Sequence, residues 1–149
     1  METVAVILTG GRSSRMGRDK CALRLGGETF LERLVERYRG AFGRVCVSVD
    51  RPGRFDPAGA EEVCDRRPGR QGPLAGLEAA FLQTGAEAIF LTAVDLPFGD
   101  AALARRLEQL RGTAAACCIR RAGGALHLPE EQHGLRRPHA QLGRVLRQH

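Results

Sequence analysis

The apolar run at residues 4–8, "VAVIL", constrains the fold more than any other segment of the chain. A strand with one solvent-facing side alternates apolar and polar residues, whereas this run is apolar throughout and contains three β-branched residues. Such a run is typical of a strand that is buried on both faces at the centre of a parallel sheet. Because Gly10 and Gly11 follow it, the chain can turn sharply there. The segment therefore predicts a central strand that ends in a glycine loop.

Strand patterns and helix patterns alternate along the rest of the chain. Strands are predicted at residues 44–50, 61–65 and 88–94. Helices are predicted at residues 29–39, 73–84 and 100–110. Nearer the C-terminus, a strand is predicted at 114–119 and a short helix at 141–148, while residues 120–140 have no clear period. The alternation predicts an α/β fold, in which a parallel sheet has helices on both faces.

Length and composition favour a single domain. The 149 residues include 43% apolar residues, which is enough for one substantial core. The net charge of +6 comes from arginines scattered among acidic residues, and aromatic residues make up only 5% of the chain. The sequence therefore predicts no specific nucleic-acid partner.

The cysteines and the apolar segments bear on the location of the protein. Five cysteines occur without CxxC spacing, which favours free thiols in a reducing compartment. No segment has the pattern of a secretory signal or the roughly 20 apolar residues of a membrane span. A soluble, cytoplasmic protein without a membrane partner is therefore expected.

The glycine loop has the composition of an anion site. Gly10 and Gly11 allow backbone N–H groups to approach a ligand, and Arg12, Arg15 and Lys20 add positive charge. Lys20 is the only lysine beside 22 arginines, which indicates that this position needs the compact charge of an ammonium group. The loop fits neither the Walker A pattern nor the GxGxxG pattern. The predicted ligand is a phosphate, most naturally a triphosphate.

Asp95 is the predicted partner of this loop. It follows the strand predicted at 88–94, and ligands of parallel sheets bind beyond the carboxyl ends of the strands. Mg²⁺ is commonly held by one or two carboxylates together with substrate phosphates. The start of the helix at 73–84, near Gly72 and Gly76, could add backbone N–H groups. The sequence therefore predicts a magnesium–nucleotide site at this edge.

Three motifs, "LTGGRSSRMGRDK", "GPLAGLEAA" and "VDLPF", resemble in order and spacing those of the molybdenum cofactor guanylyltransferase family, within the MobA-like nucleotidyltransferase superfamily. The first motif is highly specific, and the resemblance covers about residues 1–111. It implies a three-layer α/β/α, Rossmann-like nucleotidyltransferase fold with a mostly parallel central sheet, as one domain over residues 1–149. It also implies an enzyme that transfers GMP from GTP to a molybdopterin phosphate with release of pyrophosphate. Mg²⁺ would be the cofactor, and other molybdenum cofactor biosynthesis proteins would be candidate partners.

The resemblance carries residue roles to matching positions of this chain. The implied nucleotide-binding residues are Leu8, Thr9, Gly10, Gly11, Lys20, Ser48, Asp65 and Asp95. Among them, Lys20 would contact the phosphates, Asp65 would lie near the guanine, and Asp95 would hold the metal. Lys20, Arg15 and Asp95 would be catalytic. Thr9 stands where the family usually has alanine, and Ser48 stands where it usually has asparagine.

Residues 112–149 are expected to form a divergent or shortened C-terminal part. Three explanations stay open at this point: a divergent acceptor site, a substrate other than molybdopterin, or a truncated chain. Two other functions also stay open. One is another nucleotidyltransferase, such as a cytidylyltransferase, and the other is a catalytically impaired GTP-binding partner protein.

Overall fold

The computed structural model describes residues 2–9, 20–55, 59–64, 72–96, 98–114 and 116–117, and the backbone of residues 120–122, 125–127 and 146–147. In chain order, the strands and helices are β1 (Thr3–Leu8), β2 (Arg24–Leu25), β3 (Glu28–Thr29), α1 (Phe30–Phe42), β4 (Val45–Val49), β5 (Glu61–Cys64), α2 (Pro73–Thr84), β6 (Ala88–Ala93), α3 (Ala101–Arg111), β7 (Arg120–Ala122), β8 (Ala125–His127) and β9 (Leu146–Arg147). A short 3₁₀ turn at Lys20–Ala22 precedes β2.

β1 lies at the centre of the main sheet, whose strand order is β5-β4-β1-β6-β9. β1 pairs in parallel with β4 on one side and with β6 on the other, and β4 pairs in parallel with β5. Val4, Ala5, Val6 and Ile7 are all 0% exposed, as expected for a strand covered on both faces. The prediction of an α/β fold with a mostly parallel sheet is confirmed.

Helices cover both faces of this sheet. Ala5 and Ile7 pack with α1 and α3 in one core cluster, whereas Val4 and Val6 pack with α2 in another. Because successive strand side chains point to opposite faces, β1 contributes to both clusters and three layers result. Among the residues that the structure describes, no helix combines the length and apolar character that a membrane crossing would need.

Helix α1 begins at the predicted cap and ends later than predicted. The Oγ1 of Thr29 accepts a hydrogen bond from the Glu32 N–H at 3.1 Å, and Oε2 of Glu32 accepts one from the Thr29 N–H at 2.7 Å. This capping box holds the pKa of Glu32 below its ordinary value. At the other end, the Phe42 ring stacks 5.1 Å from that of Phe90, and this packing favours a helix that continues through Gly40.

Two predictions near the C-terminus were wrong. A helix is predicted at 141–148, but Leu146–Arg147 forms strand β9, which pairs antiparallel with Ala88 and Ile89 of β6. This pairing gives backbone partners to a strand edge that would otherwise lack them, and such pairing outweighs a weak local helix pattern. Of the strand predicted at 114–119, the described residues 114, 116 and 117 form no strand, and β7 begins at Arg120. The rest of both segments lies outside the described residues.

The described cysteines, Cys21, Cys46, Cys64 and Cys117, form no disulfide bond. Cys46 in β4 is 0% exposed, and burial, with a smaller contribution from the Glu61 carboxylate, raises the pKa of its thiol to about 12. The thiolate is the nucleophilic form of cysteine, so this residue is protonated and shielded in the folded chain.

We therefore expect iodoacetamide at mildly alkaline pH to label Cys46 only after the protein is denatured. Peptide mass spectrometry of native and urea-treated samples measures the labelling at this one position. Rapid labelling of Cys46 in the native sample would contradict both its burial and the raised pKa.

Candidate nucleotide-binding site

A buried hydroxyl ties the carboxyl ends of β1 and β4 together. The Oγ1 of Thr9 donates to the carbonyl oxygen of Ser48 at 2.5 Å, and the two residues are 7% and 9% exposed. Leu8, the last residue of β1, is half-buried beside them. Since the hydroxyl proton of Thr9 is used within the protein, its side chain could only accept a hydrogen bond from a nucleotide, and a donated bond would come from its backbone N–H.

Helix α2 starts at this same edge of the sheet. The side chain of Arg44, the residue before β4, donates to the carbonyl oxygen of Thr84, the last residue of α2. The end of α2 therefore lies near the start of β4, and the helix runs antiparallel to the strands. Near its start, a Cβ atom at Gly76 would lie 2.8 Å from Oγ of Ser48 and 3.0 Å from Cδ2 of Leu8. Gly72, the N-cap residue, has no side chain that could cap the first N–H groups. Pro73 has no N–H and the Ala75 N–H donates to the Gly72 carbonyl oxygen at 3.3 Å, so the Leu74 N–H is the first group at this helix start that is suited to bind an anionic ligand.

Gly76→Ala is expected to destabilise the protein by about 1–3 kcal/mol, because the new methyl group would overlap Ser48 and Leu8. Gly40→Ala is the matched control. Gly40 lies in α1 with nothing within 4 Å of its Cβ position, and alanine there should stabilise the helix by about 0.5–1 kcal/mol. Urea unfolding measures both effects. A Gly76→Ala variant as stable as the wild type would contradict the close packing of α2.

Lys20 and Asp95 meet at the carboxyl edge of the sheet. The Nζ of Lys20 lies 2.7 Å from Oδ1 of Asp95, although 75 positions separate the two residues. Their side chains are 38% and 58% exposed, and exposed ion pairs contribute only about 0–1 kcal/mol to stability. The ion pair therefore adds little to the fold, and each group can exchange its partner for a ligand at small cost.

The backbone of the sheet places Asp95 beside β1. β6 ends at Ala93, and the next N–H group, that of Val94, donates to the carbonyl oxygen of Leu8 at 3.1 Å. The Leu96 N–H then donates to the carbonyl oxygen of Ala93 at 3.0 Å, so the chain turns directly after the strand. Asp95 lies within this turn, next to the end of β1.

Asp95 is the carboxylate that this edge offers to a metal ion. Among the residues described by the structure, no group of three or more His, Cys, Asp or Glu side chains could hold a metal ion. Mg²⁺ keeps several water ligands and takes others from substrate phosphates, so one exposed carboxylate is sufficient for it. Asp95 therefore suits a metal ion that binds together with a nucleotide.

Four of the candidate residues, Gly10, Gly11, Arg15 and Asp65, lie outside the described part of the chain. The residue before Asp65 is described: the Cys64 N–H donates to Oε1 of Gln83 at 3.2 Å, and Nε2 of Gln83 donates to the Cys64 carbonyl oxygen at 2.6 Å. Gln83 of α2 thus binds the end of β5 as a neighbouring strand would. Sequence reasoning missed this residue, because a glutamine on an exposed helix face carries no pattern that reveals its partner.

The parallel sheet with a lysine and an aspartate at its carboxyl edge has the form of a nucleotidyltransferase-like α/β domain. The chain belongs to the MobA-like NTP transferase domain family, whose family model matches residues 5–148.

Named relatives and a solved structure agree with this family. The molybdenum cofactor guanylyltransferase of Sinorhizobium fredii is 40% identical over 110 residues, which cover 70% of this chain and 50% of the relative. The protein of the same name from Rhizobium meliloti is 38% identical over 129 residues, which cover 83% and 59%. Molybdopterin-guanine dinucleotide biosynthesis protein A from Archaeoglobus fulgidus is similar in fold, with a TM-score of 0.67 at 21% identity over 97% of this chain and 67% of that one. The chain thus spans little more than half the length of these two curated relatives.

Proposed function

We propose that the protein transfers GMP from GTP to a molybdopterin phosphate and releases pyrophosphate. The observation that carries this proposal is the 2.7 Å contact between Nζ of Lys20 and Oδ1 of Asp95 at the carboxyl edge of the sheet. Family membership and the activity named for the two rhizobial relatives support it. Because the chain spans 50% and 59% of those relatives, both the acceptor and the complete reaction are part of the proposal.

The reaction requires charge stabilisation rather than a covalent enzyme intermediate. An oxygen of the acceptor phosphate attacks the α-phosphorus of GTP, and a new P–O bond forms. The bond between the α-phosphorus and the oxygen that bridges to the β-phosphorus breaks, so pyrophosphate leaves with the electron pair. Charge shifts onto the pyrophosphate oxygens during this step, and positioned cations lower its barrier. Lys20, with a partly exposed side chain, would bind these oxygens.

Asp95 would hold Mg²⁺ in this scheme. A bound magnesium ion would withdraw negative charge from the phosphate oxygens. If Asp95 bound the metal, Lys20 would lose its carboxylate partner and its ammonium group would be available to the phosphates. The ion pair thus keeps next to each other a carboxylate that would hold the metal and an ammonium group that would bind the phosphates.

The remaining contacts would come from the surrounding backbone and loops. The start of α2 and the backbone at Gly10 and Gly11 would bind the nucleotide, Arg15 would assist Lys20, and Asp65 would lie near the guanine. Ser48 has its Oγ next to the Gly76 position of α2 and would contribute little to base choice. Location in the cytoplasm and binding to other molybdenum cofactor biosynthesis proteins stay predictions.

A second candidate is a nucleotidyltransferase that uses another nucleotide, such as CTP. The observation that favours this candidate is at Ser48, which stands where the family usually has asparagine. Ser48 is only 9% exposed, so its side chain has little surface with which to distinguish guanine from another base. A GTP-binding partner protein without turnover is the remaining alternative.

The test is a pyrophosphate-release assay with purified protein, molybdopterin, Mg²⁺ and, in separate reactions, GTP, CTP, ATP or UTP. We expect release with GTP that requires both the acceptor and the metal. Release with CTP in preference to GTP would support the second candidate, and tight GTP binding without release would support a binding protein. Failure of every nucleotide to bind in the presence of Mg²⁺ would contradict all three.

A further inference from the structure

The segment that follows β6 carries Asp95 and is contacted by α1. The Asp95 side chain is 58% exposed, so its position depends mainly on the backbone that carries it. Two adjacent residues of α1, Arg37 and Tyr38, contact this backbone and the strand that leads to it.

Arg37 starts a chain of hydrogen bonds that passes Asp95. Its Nη1 donates to the carbonyl oxygen of Gly99 at 2.6 Å. The Gly99 N–H donates to the carbonyl oxygen of Leu96 at 3.0 Å, and the Leu96 N–H donates to that of Ala93 at 3.0 Å. Asp95 lies between Ala93 and Leu96, inside the last of these turns. The first bond involves a charged donor, and such bonds are about twice as strong as neutral ones.

Tyr38 anchors the same segment from the core. It is 2% exposed, its hydroxyl group hydrogen-bonds with that of Thr92 in β6, and its ring lies 5.2 Å from that of Phe90. Burial raises the pKa of Tyr38, so the phenol stays protonated. Its hydroxyl also lies against Gly99, where a Cβ atom would collide with it. Gly99 is therefore held between a buried phenol and a guanidinium group.

We infer that Arg37 is a positioning residue for Asp95, and this inference rests on the proposed function because it assumes that Asp95 binds the metal–nucleotide complex. Arg37 need not touch the nucleotide. Its bond to Gly99 fixes the end of a second turn, closed by the Gly99 N–H on the Leu96 carbonyl oxygen, which directly follows the turn that presents the carboxylate to Lys20. Without this bond the turn has more conformations, and metal binding must order it.

The test measures the Mg²⁺ concentration that gives half-maximal binding of a fluorescent GTP analogue. Arg37→Ala is expected to raise this concentration about tenfold, as is common when a group that orients a metal ligand is removed. If Arg37 acted only through its charge, its removal would favour cation binding and lower the Mg²⁺ concentration that is needed. An increase therefore indicates that Arg37 acts by positioning Asp95. Arg37→Lys keeps a charged donor and is expected to recover part of the loss.

Arg105→Ala is the matched control. Its Nη2 donates to the carbonyl oxygen of Gly40 at 2.8 Å, so this variant also loses an arginine bond to the backbone of α1, but outside the Asp95 segment. Its Mg²⁺ requirement should equal that of the wild type. Hydrogen exchange at the Leu96 and Gly99 amides, measured without ligand, should become faster in Arg37→Ala and not in Arg105→Ala.

An Mg²⁺ requirement in Arg37→Ala equal to or below that of the wild type would overturn the inference, as would a lysine variant that recovers nothing. If Arg37→Ala is too unstable for the binding assay, Arg37→Met, which keeps most of the side-chain length but has no donor, takes its place, and unchanged exchange at Leu96 and Gly99 in that variant would overturn the inference as well. Absence of metal-dependent nucleotide binding by the wild type is a different result: it would overturn the proposed function, and this inference with it.

Discussion

Lys20→Ala is expected to lower the rate of pyrophosphate release by on the order of 10²–10³, the usual loss when one preorganised group that stabilises developing charge is removed. Lys20 contacts Asp95 at the edge where the phosphates would bind, and alanine leaves no cation at that position. The fold should be unaffected, because an ion pair with side chains 38% and 58% exposed adds little stability. Initial rates with GTP, molybdopterin and Mg²⁺, together with thermal melting, measure the two effects.

Two further variants test whether the shape and the position of the positive charge matter. Lys20→Arg keeps the charge but offers a planar fork instead of a compact ammonium group, so its rate should stay well below that of the wild type. Arg24→Ala removes an exposed cation from the same segment of the chain and should have a nearly normal rate. A normal rate for Lys20→Ala, or an equal loss in Arg24→Ala, would contradict the assignment of Lys20.

The sequence predicts that Lys20 and Asp95 lie at the same edge of the sheet, because topology brings together the loop after β1 and the turn after β6. Continuous apolar runs identify β1 and β6 as buried parallel strands, and the carboxyl ends of parallel strands share one edge of the sheet. The residues after these strands must then be neighbours, whatever their separation in the chain. The observed separation of 75 positions with a contact of 2.7 Å agrees with this argument.

Contacts that depend on the length and direction of an individual side chain cannot be predicted in this way. The bond from Arg37 to Gly99 joins positions 62 apart, and nothing distinguishes Arg37 in the sequence from the other arginines of α1. Thr9 is predicted to line the nucleotide, but the sequence does not reveal that its hydroxyl donates to the Ser48 carbonyl oxygen. Periods and motifs locate elements and loops, whereas these bonds depend on where individual side chains lie in the folded chain.

Short strands are a second limit on what the sequence shows. β2 and β3 have two residues each, and so does β9, which is too few for a period of two to be recognised. The β2–β3 hairpin turns at Gly26, whose φ of 70° suits glycine, but a glycine pair alone does not identify a hairpin. In β9, pairing with β6 determines the structure, and a local pattern cannot reveal such a partner.

Asp95→Asn is the second substitution with a large expected effect, a loss of pyrophosphate release on the order of 10²–10³. Asparagine keeps the size of the side chain and one carbonyl oxygen, but it lacks the negative charge that pairs with Lys20 and that would attract Mg²⁺. Nucleotide binding should consequently require more Mg²⁺, while the melting temperature should change little because the carboxylate is 58% exposed. Steady-state rates across a range of Mg²⁺ concentrations measure the first effect.

Asp100→Asn provides the control, since it is the same substitution in the segment between β6 and α3, at a residue whose role is to cap α3. Oδ1 of Asp100 accepts a hydrogen bond from the Ala102 N–H at 2.7 Å and caps α3. Asparagine is about as good an N-cap as aspartate, so neither stability nor rate should change appreciably. If both variants lose activity equally, the loss reflects the charge of the whole segment rather than metal binding at Asp95. If Asp95→Asn keeps the wild-type rate, Asp95 is not the metal ligand, and the proposed reaction would need another carboxylate.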